Sequence, residues 1–167
     1  MITQLINEIK IALDNELYFV ALNSALTLPD VCGKAEYPNS STTKRYKDWV
    51  SKYIIDKIYS KEEREQDYPY LTADVLYSLR CSLLHQATPN AQNKENDLDE
   101  FVLTIEGTDD ESFFHSEFAM ISDTKKCYHL SLRYLCYLLR KDAQEYYCEN
   151  KSRFDFINYR IKNQVGL

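Results

Sequence analysis

The run L-R-C-S-L-L-H-Q, residues 79–86, sets Arg80 and His85 five positions apart in an otherwise mostly apolar stretch. A guanidinium is a permanent, forked cation that holds anions, and an imidazole moves protons near neutral pH. Together they suit anion binding coupled to acid–base chemistry. On a straight helix five residues turn through about 500°, leaving the two side chains ~140° apart around the axis and ~7.5 Å apart along it. They meet on one small group only if the helix frays at His85, if Arg80 bends toward it, or if a second copy of the chain supplies the other residue. The competing reading is structural. An arginine can lay its stem along a core edge, and a histidine cation is favoured at a helix C-terminus. Spacing alone leaves both readings open.

Other signals of chemistry are missing. The sequence has no glycine-rich phosphate loop, no G-x-S-x-G elbow and no H-E-x-x-H or comparable metal spacing. His115 and His129, the other two histidines, have no carboxylate at helical spacing and read as surface or packed polar residues. Five cysteines, an odd number without a C-x-x-C pair, indicate neither a disulfide framework nor a zinc site. The start M-I-T-Q-L-I-N-E-I-K is not a secretory signal, and the longest apolar runs are six residues, so the expectation is a cytoplasmic, reducing location without a membrane span. Net charge is -6, but residues 94–111 alone carry eight acids and one base, so the remaining 149 residues sum to +1. Charge therefore leaves room for an RNA-facing surface without drawing a basic stripe. The acidic stretch reads first as a solvated connector and second as a mimic of nucleic acid or a dock for a basic partner.

The elements that must position Arg80 and His85 are helical. At 167 residues the chain suits one domain, 1–167, and three glycines with four prolines leave little material for an all-β fold. Ile6, Ile9, Leu13, Leu17, Val20 and Ser24 or Ala25 draw one face over more than six turns, predicting a long first helix from Ile2. Pro29 predicts a bend, with P-D-V-C-G as a short helical turn stopped by Gly33. Thr42 or Thr43 is expected to cap a second helix with Tyr46, Trp49, Val50, Tyr53, Ile54 and Ile58 inward. Thr72 is expected to cap the motif helix, with Val75, Leu76, Leu79 and Leu83 inward and Pro89 forcing a stop. F-V-L-T-I-E-G predicts a strand, with F-F-H-S-E-F-A-M-I-S returning against it as a hairpin. From Asp123, the spacing of Tyr128, Leu132, Leu135 and Leu139 predicts a long last helix. Fourteen tyrosines suit a core with half-exposed edges or a self-association surface.

The motif and the helix order resemble the HEPN (higher eukaryotes and prokaryotes nucleotide-binding) domains, in which an arginine, four to six residues and a histidine sit on the third helix of an all-α bundle. The resemblance implies a mainly α, HEPN-like bundle with a small inserted β-hairpin. Many members are metal-independent endoribonucleases of toxin–antitoxin, phage-defence or CRISPR-associated systems; others are inactive binding or dimerisation modules. They usually dimerise so that two motifs face one RNA-binding cleft. Carried onto this chain, Arg80 would hold the scissile phosphate of single-stranded RNA, and His85 would move protons during attack of the ribose 2'-hydroxyl. Ser82 is the nearest hydroxyl for a phosphate contact. No metal or other cofactor is implied, and the implied partners are a second copy of the chain, RNA and an antitoxin-like protein. Catalytic members often carry Asn, Asp or His directly after the arginine, where this chain has Cys81, and that departure keeps an inactive dimeric adaptor as the alternative. A nucleotide-binding protein ranks last because no phosphate cradle is present.

Overall fold

The structure is a computed structural model that describes residues 2–58, 71–86, 100–105, 117–121 and 126–157. It is mainly helical. Helix α1 spans Ile2–Asp14, α2 Tyr18–Glu36 and α3 Thr42–Val50. A π-helical stretch, Ser51–Ile55, and a last turn, Asp56–Ile58, continue α3. Helix α4, Ala73–Gln86, carries the motif; strands β1 (Glu100–Thr104), β2 (Glu117–Ile121) and β3 (Lys126–Ser131) follow. Helix α5, Leu132–Glu149, and a 3-10 turn, Lys151–Phe154, close the described chain. Among the described residues no helix is long and apolar enough to cross a membrane.

Helix α2 lies at the centre, with α1, α3, α4 and α5 packed around it. It consequently buries a broad arc, Ala21, Leu22, Ala25, Leu26, Leu28, Pro29, Cys32 and Gly33. The expected long first helix is two helices. The N–H of Leu17 bonds the Ala12 carbonyl at 2.8 Å, and that of Glu16 bonds Leu13 at 3.1 Å, with Glu16 at φ 59°. These two bonds make a Schellman stop with a glutamate in the left-handed position where glycine is usual. Leu17 and Val20, placed inward by the unbroken spacing, are therefore 54% and 56% exposed.

The expected bend at Pro29 is also corrected. Helix α2 runs through it to Glu36, because Leu28, Pro29 and Cys32 all enter the core and hold the helix in place. Gly33 does not stop the helix. A Cβ there would lie 2.6 Å from the Arg45 carbonyl oxygen, so the residue is glycine because the α3 backbone passes against it.

Ser41, one residue before the expected Thr42 or Thr43, caps α3 by accepting from the Lys44 N–H at 3.4 Å. Of the expected inward stripe, Tyr46, Trp49, Val50 and Ile54 are fully buried and Tyr53 and Ile58 half-buried, and the π-helical stretch turns Ile55 inward as well. Thr72 caps α4 as expected, accepting from Val75 N at 3.2 Å, and Val75, Leu76, Leu79 and Leu83 are all buried. Pro89, residues 60–70, His115 and most of the acidic stretch 94–111 lie outside the described residues.

The sheet differs from the expected hairpin of the first two strands. Its order is β1-β3-β2; β1 runs parallel to β3, from Glu100 opposite Cys127 to Thr104 opposite Ser131. β2 runs antiparallel to β3, from Glu117 opposite Leu130 to Ile121 opposite Lys126. The central strand comes from residues expected in the last helix. Tyr128 and Leu130 are buried with half-buried His129 between them, a period of two, and Ser131 then caps α5 by accepting from Tyr134 N at 3.3 Å.

Among the described tyrosines, the hydroxyls of Tyr18, Tyr53, Tyr77 and Tyr146 are held in hydrogen bonds. Glu36, at the end of α2, accepts from Tyr53 at 3.2 Å, Tyr146 at 2.9 Å, Lys52 at 2.8 Å and Arg153. Partial burial works against its charge, but these donors outweigh burial and hold its carboxyl below the ordinary range. On α5, buried Asp142 accepts from Lys57; burial pushes the carboxyl up and the lysine pulls it partly back.

Candidate functional site

Arg80 emerges on the side of α4 that meets α2. Its Nε donates to Asp30 Oδ2 at 3.0 Å, and the two side chains are only 19% and 17% exposed. Burial disfavours the Arg80 cation, but the Asp30 charge and hydrogen bond outweigh that and raise its pKa. Burial likewise pushes the Asp30 carboxyl up, more than Arg80 and Arg45 pull it down. The pair leaves the outer edge of the guanidinium largely unused. Beyond a 4.0 Å approach of Nη1 to Cys81 Sγ, the terminal nitrogens meet no acceptor among the described residues.

Helix α3 closes the site from a third direction. Tyr46 is fully buried beside the pair, close enough for the Asp30 charge to add to the effect of burial in raising its pKa far above the ordinary range. Its hydroxyl, Asp30 Oδ1 and Arg45 Nε are buried without a hydrogen-bond partner among the described residues. The contact between α3 and α4 is fixed locally: Tyr46 and Tyr77 pack edge to face at 5.3 Å, Tyr77 OH meets Thr43 Oγ1 at 2.8 Å, and Lys47 pairs with Asp74. Arg80 thus stands on a framework of three helices rather than on a loop.

The remaining motif residues are not brought to the same face. Helix α4 stays helical through His85 to Gln86, so His85 is ~140° around the axis from Arg80, and the His85 side chain lies outside the described residues. Ser82 is half-buried and two residues on, about 200° away, so it does not share the Arg80 face. Cys81 is a half-buried free thiol. His129 sits on β3 rather than on the last helix, and among the described residues no three His, Cys, Asp or Glu side chains group as metal ligands.

Asp30 is the residue that motif reasoning missed. The available signal was a lone acid in the long apolar α2 sequence, Tyr18–Gly33, since a carboxylate surrounded by core residues needs a cationic partner. Leu84, four residues after Arg80 and so close to its face, is 45% exposed. No family model, curated protein or solved structure matches the chain.

Proposed function

We propose that the protein is a HEPN-like, RNA-binding homodimer that cleaves single-stranded RNA without a metal, with Arg80 and His85 as its catalytic residues. The observation that carries this reading is the clamped arginine. Asp30 occupies Nε and fixes the plane of the guanidinium, while the terminal nitrogens, the edge suited to a phosphate fork, have no carboxylate or carbonyl on them among the described residues. A purely structural arginine at this depth would be expected to use that edge on the protein. The R-x4-H spacing supports the family reading; the motif stands on the fourth helix, α4, rather than the third, because the expected first helix is two.

Because α4 stays helical through position 85, the two positions are ~140° apart around its axis, and a two-fold partner is the simplest way to bring an imidazole to the arginine of the other copy. The exposed Leu84 beside Arg80 supports a contact through the motif helix. In the reaction, Arg80 holds the scissile phosphate and His85 moves protons as the 2'-hydroxyl attacks phosphorus and the P–O5' bond breaks, leaving a 2',3'-cyclic phosphate and a protonated 5'-hydroxyl. A toxin or defence role with an antitoxin-like partner belongs to the same reading.

The test is incubation with single-stranded RNA in excess chelator. Fragments ending in 2',3'-cyclic phosphate are expected, deoxy substrates survive, and Arg80→Ala or His85→Ala abolishes cleavage with the melting transition retained. Full cleavage by His85→Ala would end the catalytic assignment. A second reading, an inactive dimeric adaptor, is favoured by Cys81 at the position after the arginine. Under it the parent binds RNA without cutting, and Cys81→Asn gains cleavage if only that neighbour was lost.

A further inference from the structure

Three side-chain atoms near Arg80 are buried without a hydrogen-bond partner among the described residues: Asp30 Oδ1, the Tyr46 hydroxyl and Arg45 Nε. Asp30 comes from α2, and its other oxygen, Oδ2, is taken by Arg80 Nε at 3.0 Å. Tyr46 comes from α3 and is fully buried, with Tyr77 of α4 edge to face on its ring at 5.3 Å. Arg45 precedes it. Gly33 lets the Arg45 backbone press against α2, and Arg45 Cγ lies 3.5 Å from where a Gly33 Cβ would stand. Gly33 is three residues, about 4.5 Å, past Asp30 on the same side of α2, so the Arg45 stem starts within a turn of the carboxylate. The Arg45 charge reaches Asp30, and the Asp30 charge reaches Tyr46. Two further unpartnered atoms among the described residues lie elsewhere. Asn23 Oδ1 is seven residues, about 10.5 Å, before Asp30, and Trp49 Nε1 belongs to a ring packed against Tyr53 and Tyr146.

Chemistry narrows what can join the three. A carboxylate oxygen only accepts, a guanidinium N–H only donates, and a phenol hydroxyl does either. No direct bond links any two of these atoms. A cation would face Arg45 and Arg80, and an anion would face Asp30, so either ion meets a like charge. A water meets all three demands at once: it donates to Oδ1, accepts from Nε and shares one bond with the Tyr46 hydroxyl. Three polar partners are what a buried water typically has.

We propose that one buried water joins Asp30 Oδ1, Tyr46 and Arg45, and that it makes Tyr46 and Arg45 positioning residues of the Arg80 site. With Oδ2 on Arg80 and Oδ1 on the water, the carboxylate is held at both oxygens and cannot turn about its last bond. The plane of the guanidinium is then set from α3 as well as from α2. The water also keeps the Asp30 charge in place although burial works against it. The groups that act electrostatically on Asp30 or Tyr46 among the described residues are Arg80, Cys81 and Tyr77 of α4 and Arg45 of α3. The protein's own groups fix this water, so it does not depend on RNA meeting Arg80.

The experiment is a crystal structure of the full chain at a resolution that shows ordered water, joined to NMR of the Asp30 carboxyl carbon and the Arg80 Nε–H in parent and variants. A single density peak within about 2.7–3.2 Å of all three atoms is expected. Tyr46→Phe keeps the ring and the charge balance and removes one partner of the water. Asp30 should then titrate at a higher pH, and the Arg80 Nε–H should exchange with solvent roughly tenfold faster, the factor carried by one lost hydrogen bond. Arg45→Lys, which keeps the charge but has no donor at the Nε position, should move both in the same direction. Tyr77→Phe, whose hydroxyl is on Thr43, should move neither. A direct bond between Tyr46 and Asp30 with no peak between them, or an ion in the peak, would overturn the water. Unchanged Asp30 titration and Arg80 exchange in Tyr46→Phe would overturn the positioning role, and equal changes in Tyr77→Phe would assign the effect to loosened packing instead.

Discussion

The link between Asp30 and Arg80 can be measured apart from any activity. The perturbation is a double-mutant cycle with Asp30→Ala, Arg80→Ala and the double variant. In the parent, each charge is mostly buried and each is the other's main electrostatic partner. Removing one partner of a well-buried pair costs about 3–5 kcal/mol, because the other charge stays desolvated. Here roughly a fifth of each side chain still reaches water, so the cost of Asp30→Ala falls nearer the 1.5–3 kcal/mol of a hydrogen bond to a charged group. Arg80→Ala should cost a similar amount, and Asp30 then protonates more readily because burial already pushes its pKa up. The double variant should lose far less than the sum, a coupling of ~1–2 kcal/mol. The assay is urea denaturation followed by tryptophan fluorescence, Trp49 being the sole tryptophan and fully buried. Additive losses would show that the two side chains do not meet in solution and would remove the clamped-arginine argument.

Three further outcomes follow from the packing. Leu79→Ala or Leu83→Ala should cost about 2–5 kcal/mol in the same assay, since both are buried on α4. Gly33→Ala should destabilise by about 1–3 kcal/mol, because the new Cβ forces α3 away from α2 at Arg45. Glu36 has a folded-state pKa below its ordinary 4.5, so its contribution is present above that pH and is lost as pH falls through the depressed value. Urea midpoints measured from pH 6 downward should fall less steeply in Glu36→Gln than in the parent, and the variant should start about 1.5–3 kcal/mol lower at pH 6.

Helix existence was legible because the stripes of α3, α4 and α5 are long and periodic. Boundaries were not, where a stop carried no sequence signal. The Schellman turn at Asn15–Leu17 uses Glu16 in place of glycine, and Leu17 and Val20 keep the helical spacing although they face water. Local preference makes Pro29 a bend and Gly33 a stop, but burial of α2 among four neighbouring helices overrides the first and a close backbone approach explains the second. K-C-Y-H-L-S was absorbed into the last helix because Tyr128 fits a spacing of four with Leu132. The alternation of Tyr128 and Leu130 is the strand signal there, weaker than the helical spacing. For the site, the motif pointed to Arg80, while Asp30 is fifty residues away in sequence and could be found only by asking what a lone acid in an apolar helix pairs with.

The central claim is that an RNA phosphate meets Arg80 with His85 nearby. It is tested most directly by NMR of the Arg80 Nε–H, which the bond to Asp30 should slow in exchange with water, and of the His85 ring during titration with non-cleavable 2'-O-methyl RNA. Both resonances should move together and saturate at the same RNA concentration, and Arg80→Ala should abolish the His85 response. Saturating RNA that leaves the Arg80 and His85 resonances unchanged would contradict the claim.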